Sequence, residues 1–140
     1  MRISDHYQAF TKKTVIALTN NERCRLLVAH NRDIEEVDGI EAPEFEHLER
    51  ITAAHASTKK DIDDMKDNRL ANLYSAISEK LRAMIAHEGV EEVLICVPEI
   101  NKNLLIDSLH ADVKKSLLET VPKNLASMDL NNIVRILMEG

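Results

Sequence analysis

Glycine and proline occur three times each in these 140 residues, cysteine twice and tryptophan not at all. So little glycine rules out a glycine-rich loop that cradles phosphate. Scarce glycine and proline together also argue against long flexible linkers. Cys24 and Cys96 each sit inside an apolar run and form no C-x-x-C pair. That excludes a disulfide scaffold and reads as two reduced core thiols. No apolar run approaches the roughly 18 residues that a membrane span needs. The opening MRISDHYQAFTKK has no apolar stretch of the kind a secretory leader carries. These absences lead us to expect a cytoplasmic protein that makes no membrane contact.

Hydrophobic residues make up 44% of the chain and charged residues 30%. That balance is globular, and the length suits one domain with one sizeable core. We take residues 1–13 as an N-terminal extension and 14–140 as a single α/β domain. The net charge is −6 and uneven. From Asp33 to Glu49 there are eight acids and no Lys or Arg, whereas Arg50 to Lys60 carries three basic residues and no acid. An acidic surface repels phosphate backbones, so non-specific DNA binding is disfavoured, and any nucleic-acid contact would use a local basic patch.

Apolar patterning predicts the elements. Lys13 to Asn20 (KTVIALTN) and Arg23 to His30 (RCRLLVAH) read as a strand pair around an Asn20-Asn21 turn. Ile34 to Pro43 reads as a third, polar strand, whose Glu36 and Asp38 suit a sheet edge. Phe45, Leu48 and Ile51 hint at a short helix. From near Asp61, the stripe Leu70, Leu73, Tyr74, Ile77, Leu81, Met84 and Ile85 predicts a long helix stopped at Gly89. Val93 to Val97 is a fully apolar run, as a strand covered on both faces requires. Asn101 is placed to cap a helix burying Leu104, Leu105, Leu109 and Val113. A closing strand is expected over Thr120 to Ala126, then a last helix capped by Asp129 with Leu130, Ile133, Val134 and Leu137 inward. The order β-β-β-α-β-α-β-α gives a mixed five-stranded sheet with helices on both faces. A ribonuclease H-like strand order, 3-2-1-4-5, needs the fewest long connections.

Three stretches carry a resemblance. VIALTNNERCRLLVAH resembles the opening strand pair of the bacterial "protein required for attachment to host cells" family, with Arg23 and Arg25 on its Arg-x-Arg positions. EEVLICVPEINKNLLIDSLHADVKKSL is similar to that family's apolar strand, proline turn and following helix. VPKNLASMDLNNIVRIL resembles its closing strand and terminal helix, with Lys123-Asn124-Leu125 on a Lys-Asp-Leu motif. The resemblance covers about Thr14 to Leu137. It implies kinship with the middle domain of archaeal and eukaryotic peptide-chain release factors, and so supports the ribonuclease H-like sheet. Those domains place a Gly-Gly-Gln tripeptide after the third strand, to position water at an ester bond. Here glycine stands only at positions 39, 89 and 140, and Asn20-Asn21 replaces the family's Asp-Gly. The resemblance therefore does not extend to peptidyl-tRNA hydrolysis by that tripeptide.

Other chemistries have little support. A two-metal nuclease needs several converging carboxylates, and TVIALT has no acid where the first should stand. Glu99 alone cannot hold two Mg²⁺ ions. His30, His47, His55, His87 and His110 show no H-x-x-x-H spacing. No G-x-S-x-G elbow exists. We therefore expect no cofactor, no metal site and no catalytic residue. The candidate binding residues form two groups. Asn20, Asn21, Glu99 and Lys123 belong to the strands' carboxyl ends, where α/β ligands usually bind. Lys59 and Lys60 belong to the basic loop. The reading is a non-catalytic binding module for ribosome-associated RNA or a protein partner. The alternatives are a hydrolase with a non-standard polar site at the strand ends, and a homo-oligomer that buries apolar ends of the long helix.

Overall fold

Five strands form one mixed sheet in the order β3-β2-β1-β4-β5, as the connection rules anticipate. They are β1 (Phe10–Thr19), β2 (Arg23–Asn31), β3 (Asp33–Glu41), β4 (Glu92–Cys96) and β5 (Leu117–Val121). The structure, a computed structural model, describes residues 1–41 and 59–139, with the side chains of 59–67 outside that description. Helices α1 (Lys59–His87), α2 (Lys102–Ser108), α3 (Ala111–Ser116) and α4 (Leu130–Glu139) complete the described elements, with a 3₁₀ turn at Glu99–Asn101. The helix expected around Phe45 to Ile51 lies outside the described residues, as does most of the basic segment.

The meander forms because short polar turns follow each apolar run. β1 and β2 pair antiparallel, with Thr19 opposite Cys24, and β2 turns into β3 at Asn31, which adopts φ 56°. Asparagine tolerates that left-handed conformation better than most residues. β1 then pairs parallel with β4, Leu18 lying opposite Cys96, and β4 pairs parallel with β5. Acid-rich β3 is an edge strand, with Glu35, Glu36 and Asp38 exposed.

Side chains of a strand alternate between faces, so the sheet carries two cores. Val15, Ala17, Leu26, Val93 and Ile95 meet Leu73, Tyr74, Ile77, Leu81 and Met84 of α1, with Leu105 of α2 and Val113 of α3. Ile16, Leu18, Leu27, Ala29, Leu94 and Cys96 meet Leu125 and, from α4, Ile133 and Val134. Ile3 joins this second core at 1% exposure. Ile3 N–H donates to the Arg32 carbonyl at 2.7 Å and β1 begins at Phe10, so residues 10–13 belong to the sheet and Ile3 packs on it. Cys24 belongs to the first core and Cys96 to the second, so the sheet itself separates the two thiols.

Three local expectations are corrected. β5 runs over Leu117–Val121 and not Thr120 to Ala126. Pro122 has no N–H to continue the ladder, and Lys123 N–H closes a tight turn on the Val121 carbonyl at 2.8 Å. The helix after β4 is two short helices, broken at Leu109, and Leu104 is 42% exposed, so it does not pack inward. Asn101 precedes α2 but makes no side-chain cap. Asp129 does cap α4, its Oδ1 accepting the Asn132 N–H at 2.8 Å. Gly89 ends α1 with φ +73°, and the Met84 carbonyl accepts both the Glu88 and Val90 amides.

Candidate functional site

β1 and β4 lie side by side and end together, so the turns that leave them meet. After β1, the Asn20 side-chain Oδ1 accepts the backbone N–H groups of Glu22 and Arg23, at 2.8 and 2.9 Å. An asparagine that folds the chain back on itself this way builds its own turn. After β4, Pro98 starts the 3₁₀ turn, which carries Ile100 and Asn101. Across the gap, Asn101 Nδ2 donates to Asn21 Oδ1 at 2.5 Å. The two strand ends are thereby joined by a carboxamide pair.

An open cleft of about 300 Å³ lies here, lined by Asn20, Asn21, Glu22, Pro98, Ile100, Asn101 and Asn124. Asn124 arrives on the β5–α4 connection, which two arginines hold against β2. Arg25 Nη1 donates to the carbonyls of Ala126 and Met128 at 3.1 and 2.6 Å, and Arg23 Nη2 donates to the Ala126 carbonyl at 3.1 Å. The other edge of Arg25 forks onto Glu36 at 3.0 and 2.7 Å. That fork holds the Glu36 carboxyl below its usual range. The Arg-x-Arg positions therefore act as a clamp on the segment that carries Asn124.

Tyr74 is completely buried in the first core, and its hydroxyl has no hydrogen-bond partner among the described residues. Leaving such a group unpaired costs about 1–3 kcal/mol. Burial pushes its pKa up to about 12, Asn101 acts in the opposite direction, and Cys24 adds to the rise. Asn101 is thus a neighbour of the hydroxyl, although no bond between the two meets hydrogen-bond geometry.

Asn20 and Asn21 are both in the cleft's lining. Glu99 and Lys123 are exposed and stand outside it, replaced there by Asn101 and Asn124. Lys59 and Lys60 open α1, with their side chains outside the described residues. Asn101 and Asn124 are not among the expected site residues, because Asn101 reads as a helix cap and Asn124 as part of the closing strand. The signal available was the placement of polar residues directly after each apolar strand. A larger hollow of about 510 Å³ lies over the β2–β3 ladder, but both of its arginines are committed to the clamp and the fork. Among the described residues, no group of three or more His, Cys, Asp or Glu is placed to hold a metal ion, and no helix is long and apolar enough to cross a membrane.

Two solved structures share the fold. The archaeal translation termination factor aRF1 superposes with a TM-score of 0.53 at 15% identity, over 81% of this chain and 30% of that one. The S. cerevisiae protein Dom34, a translation termination-like factor involved in RNA quality control and interacting with Hbs1, gives 0.50 at 11% identity. That match covers 90% of this chain and 32% of Dom34. The chain thus spans about a third of the length of each factor. No curated protein sequence matches it. The match that spans most of the chain is to a family described as release-factor-like, not to one named for host attachment. Residues 7–132 fit that description throughout, so the chain belongs to bacterial archaeo-eukaryotic release factor family 10.

Proposed function

We propose that this chain is a non-catalytic binding module that engages ribosome-associated RNA or a protein of that assembly. The observation that carries the reading is a pairing. Nearly the whole chain matches a release-factor family, yet glycine occurs only at 39, 89 and 140, so no Gly-Gly-Gln tripeptide exists to position water. The basic segment from Arg50 to Lys60 occupies the same stretch of chain, after β3 and into the start of α1, and supplies the cations that a phosphate-rich partner would meet. The 3-2-1-4-5 order is the reason to read the sheet as ribonuclease H-like. The host-attachment resemblance at Arg23, Arg25 and Lys123 to Leu125 is a proposal about lineage only.

Co-sedimentation with bacterial ribosomes across a salt series tests this. The intact chain should pellet with ribosomes at low salt and be released as salt rises. Lys59→Glu with Lys60→Glu should weaken binding about tenfold and flatten the salt slope. Binding that ignores both salt and the two substitutions would refute a role for the basic segment. The hydrolase alternative is checked in an ester-hydrolysis assay, where turnover abolished by Glu99→Gln would revive it.

A further inference from the structure

We propose that the carboxamide cleft at the ends of β1 and β4 is a second binding site, which takes an extended peptide segment through its backbone. This goes beyond the basic segment and does not depend on it. The Asn21–Asn101 bond uses one N–H and one carbonyl. Whichever amide donates, the pair keeps one NH₂ group and one carbonyl with no partner among the described residues. Asn20 spends its oxygen on its own turn and Asn124 spends its oxygen on the Ala126 N–H, so the NH₂ groups of both are without partners there. Neutral donors together with an acceptor can pair with the C=O and N–H groups of an extended chain.

The surroundings favour a peptide over a nucleic acid. Glu22 lines the cleft and no Lys or Arg does, while Glu99 and Lys123 outside it offset one another, so a phosphate backbone would meet no cation in the lining. Ile100 is 91% exposed on the rim and Leu104 is 42% exposed four residues on, an apolar rest for one side chain of the segment. An independent observation is the buried, unpartnered Tyr74 hydroxyl next to Asn101. A peptide that binds the groups left over by the Asn21–Asn101 pair shifts the Asn101 side chain, and with it the surroundings of the Tyr74 hydroxyl. Tyr74 emission therefore reports on occupancy of the cleft.

The probe is the capped pentapeptide acetyl-Gly-Leu-Gly-Leu-Gly-amide, titrated into ¹⁵N-labelled protein. The chain has two tyrosines and no tryptophan, so Tyr7→Phe leaves Tyr74 as the sole reporter of tyrosine emission. The expected result is saturable movement of the Asn21 and Asn101 side-chain NH₂ resonances, with a matching change in Tyr74 emission. Asn21→Ala or Asn101→Ala should weaken it about tenfold, and Ile100→Ser should weaken it without removing an amide. Lys59→Glu with Lys60→Glu should leave it unchanged, which separates this site from the basic segment. No saturable shift at peptide concentrations of about 5 mM, an equal response in all three cleft variants, or tighter occupancy of the same resonances by an oligouridylate would overturn the proposal.

Discussion

Replacing Arg25 by alanine removes a guanidinium that ties three parts of the chain together. It donates to the Ala126 and Met128 carbonyls at 3.1 and 2.6 Å and forks onto Glu36 at 3.0 and 2.7 Å. The Arg25 side chain is 17% exposed and that of Glu36 is 42% exposed. A typical hydrogen bond is worth roughly 1 kcal/mol net and one with a charged donor no less, so the two backbone bonds supply at least about 2 kcal/mol. The ion pair adds at most about 1 kcal/mol, because its acid partner is well solvated. The expected loss is about 2–3 kcal/mol. With a urea slope near 2 kcal/mol/M for a chain of this size, the unfolding midpoint should fall by about 1–1.5 M. Arg25→Lys keeps the charge but not the fork, and should lose about half as much. A double-mutant cycle with Glu36→Ala should return a coupling of about 1 kcal/mol or less, which leaves most of the effect on the backbone clamp. A midpoint for Arg25→Ala within about 0.2 M of the parent's would refute the clamp, and with it the account of how Asn124 is held at the cleft.

Three further outcomes are expected. The Glu36 carboxyl is held below its ordinary 4.5, chiefly by the Arg25 hydrogen bond and then by the charges of Arg25 and Arg23, against the opposing effect of burial. The unfolded chain therefore binds more protons. The stability advantage over Glu36→Gln should be complete above pH 4.5 and vanish as pH falls through the lower folded value, as urea midpoints at a series of acidic pH values would show. A Cβ at Gly39 would lie 2.3 Å from the Cys24 carbonyl oxygen. Gly39→Ala should therefore cost about 2–3 kcal/mol in the same assay, whereas Gly89→Ala, with open space but φ +73°, should cost only about 1 kcal/mol. Cys24 and Cys96 are buried, and burial pushes both thiols up to about 12. Neither should react with a disulfide reagent near neutral pH until urea unfolds the chain, and prompt labelling of the native protein would contradict the two-layer core.

Most of the architecture was legible in local pattern. Residues 15 to 18 alternate between two buried faces, and the stripe from Leu70 to Met84 repeats every three or four residues. Each signal needs only its near neighbours, and short turns leave few ways to join the strands, so the sheet order followed. β5 was misplaced because Leu117 continues the helical spacing of Val113, and only the Pro122 turn and pairing with β4 decide between the two readings. The candidate site was legible in location but not in membership. Strand ends that share a sheet edge can be anticipated, so Asn20 and Asn21 were found. Asn101 bonds Asn21 across 80 positions, and Arg25 reaches Ala126 across 101.

The amino-acid order alone determined where most strands and helices form, which faces are apolar and that no glycine pair exists for a hydrolytic tripeptide. Periodicity and composition are properties of the chain before it folds. Only the tertiary structure decided that two distant asparagines meet, that an arginine pair clamps the segment carrying a third, and that a buried tyrosine hydroxyl has no partner among the described residues. A hydrogen bond demands placement to within a fraction of an ångström. No local pattern conveys that accuracy between residues a hundred positions apart, because it emerges only when both layers have packed on the sheet.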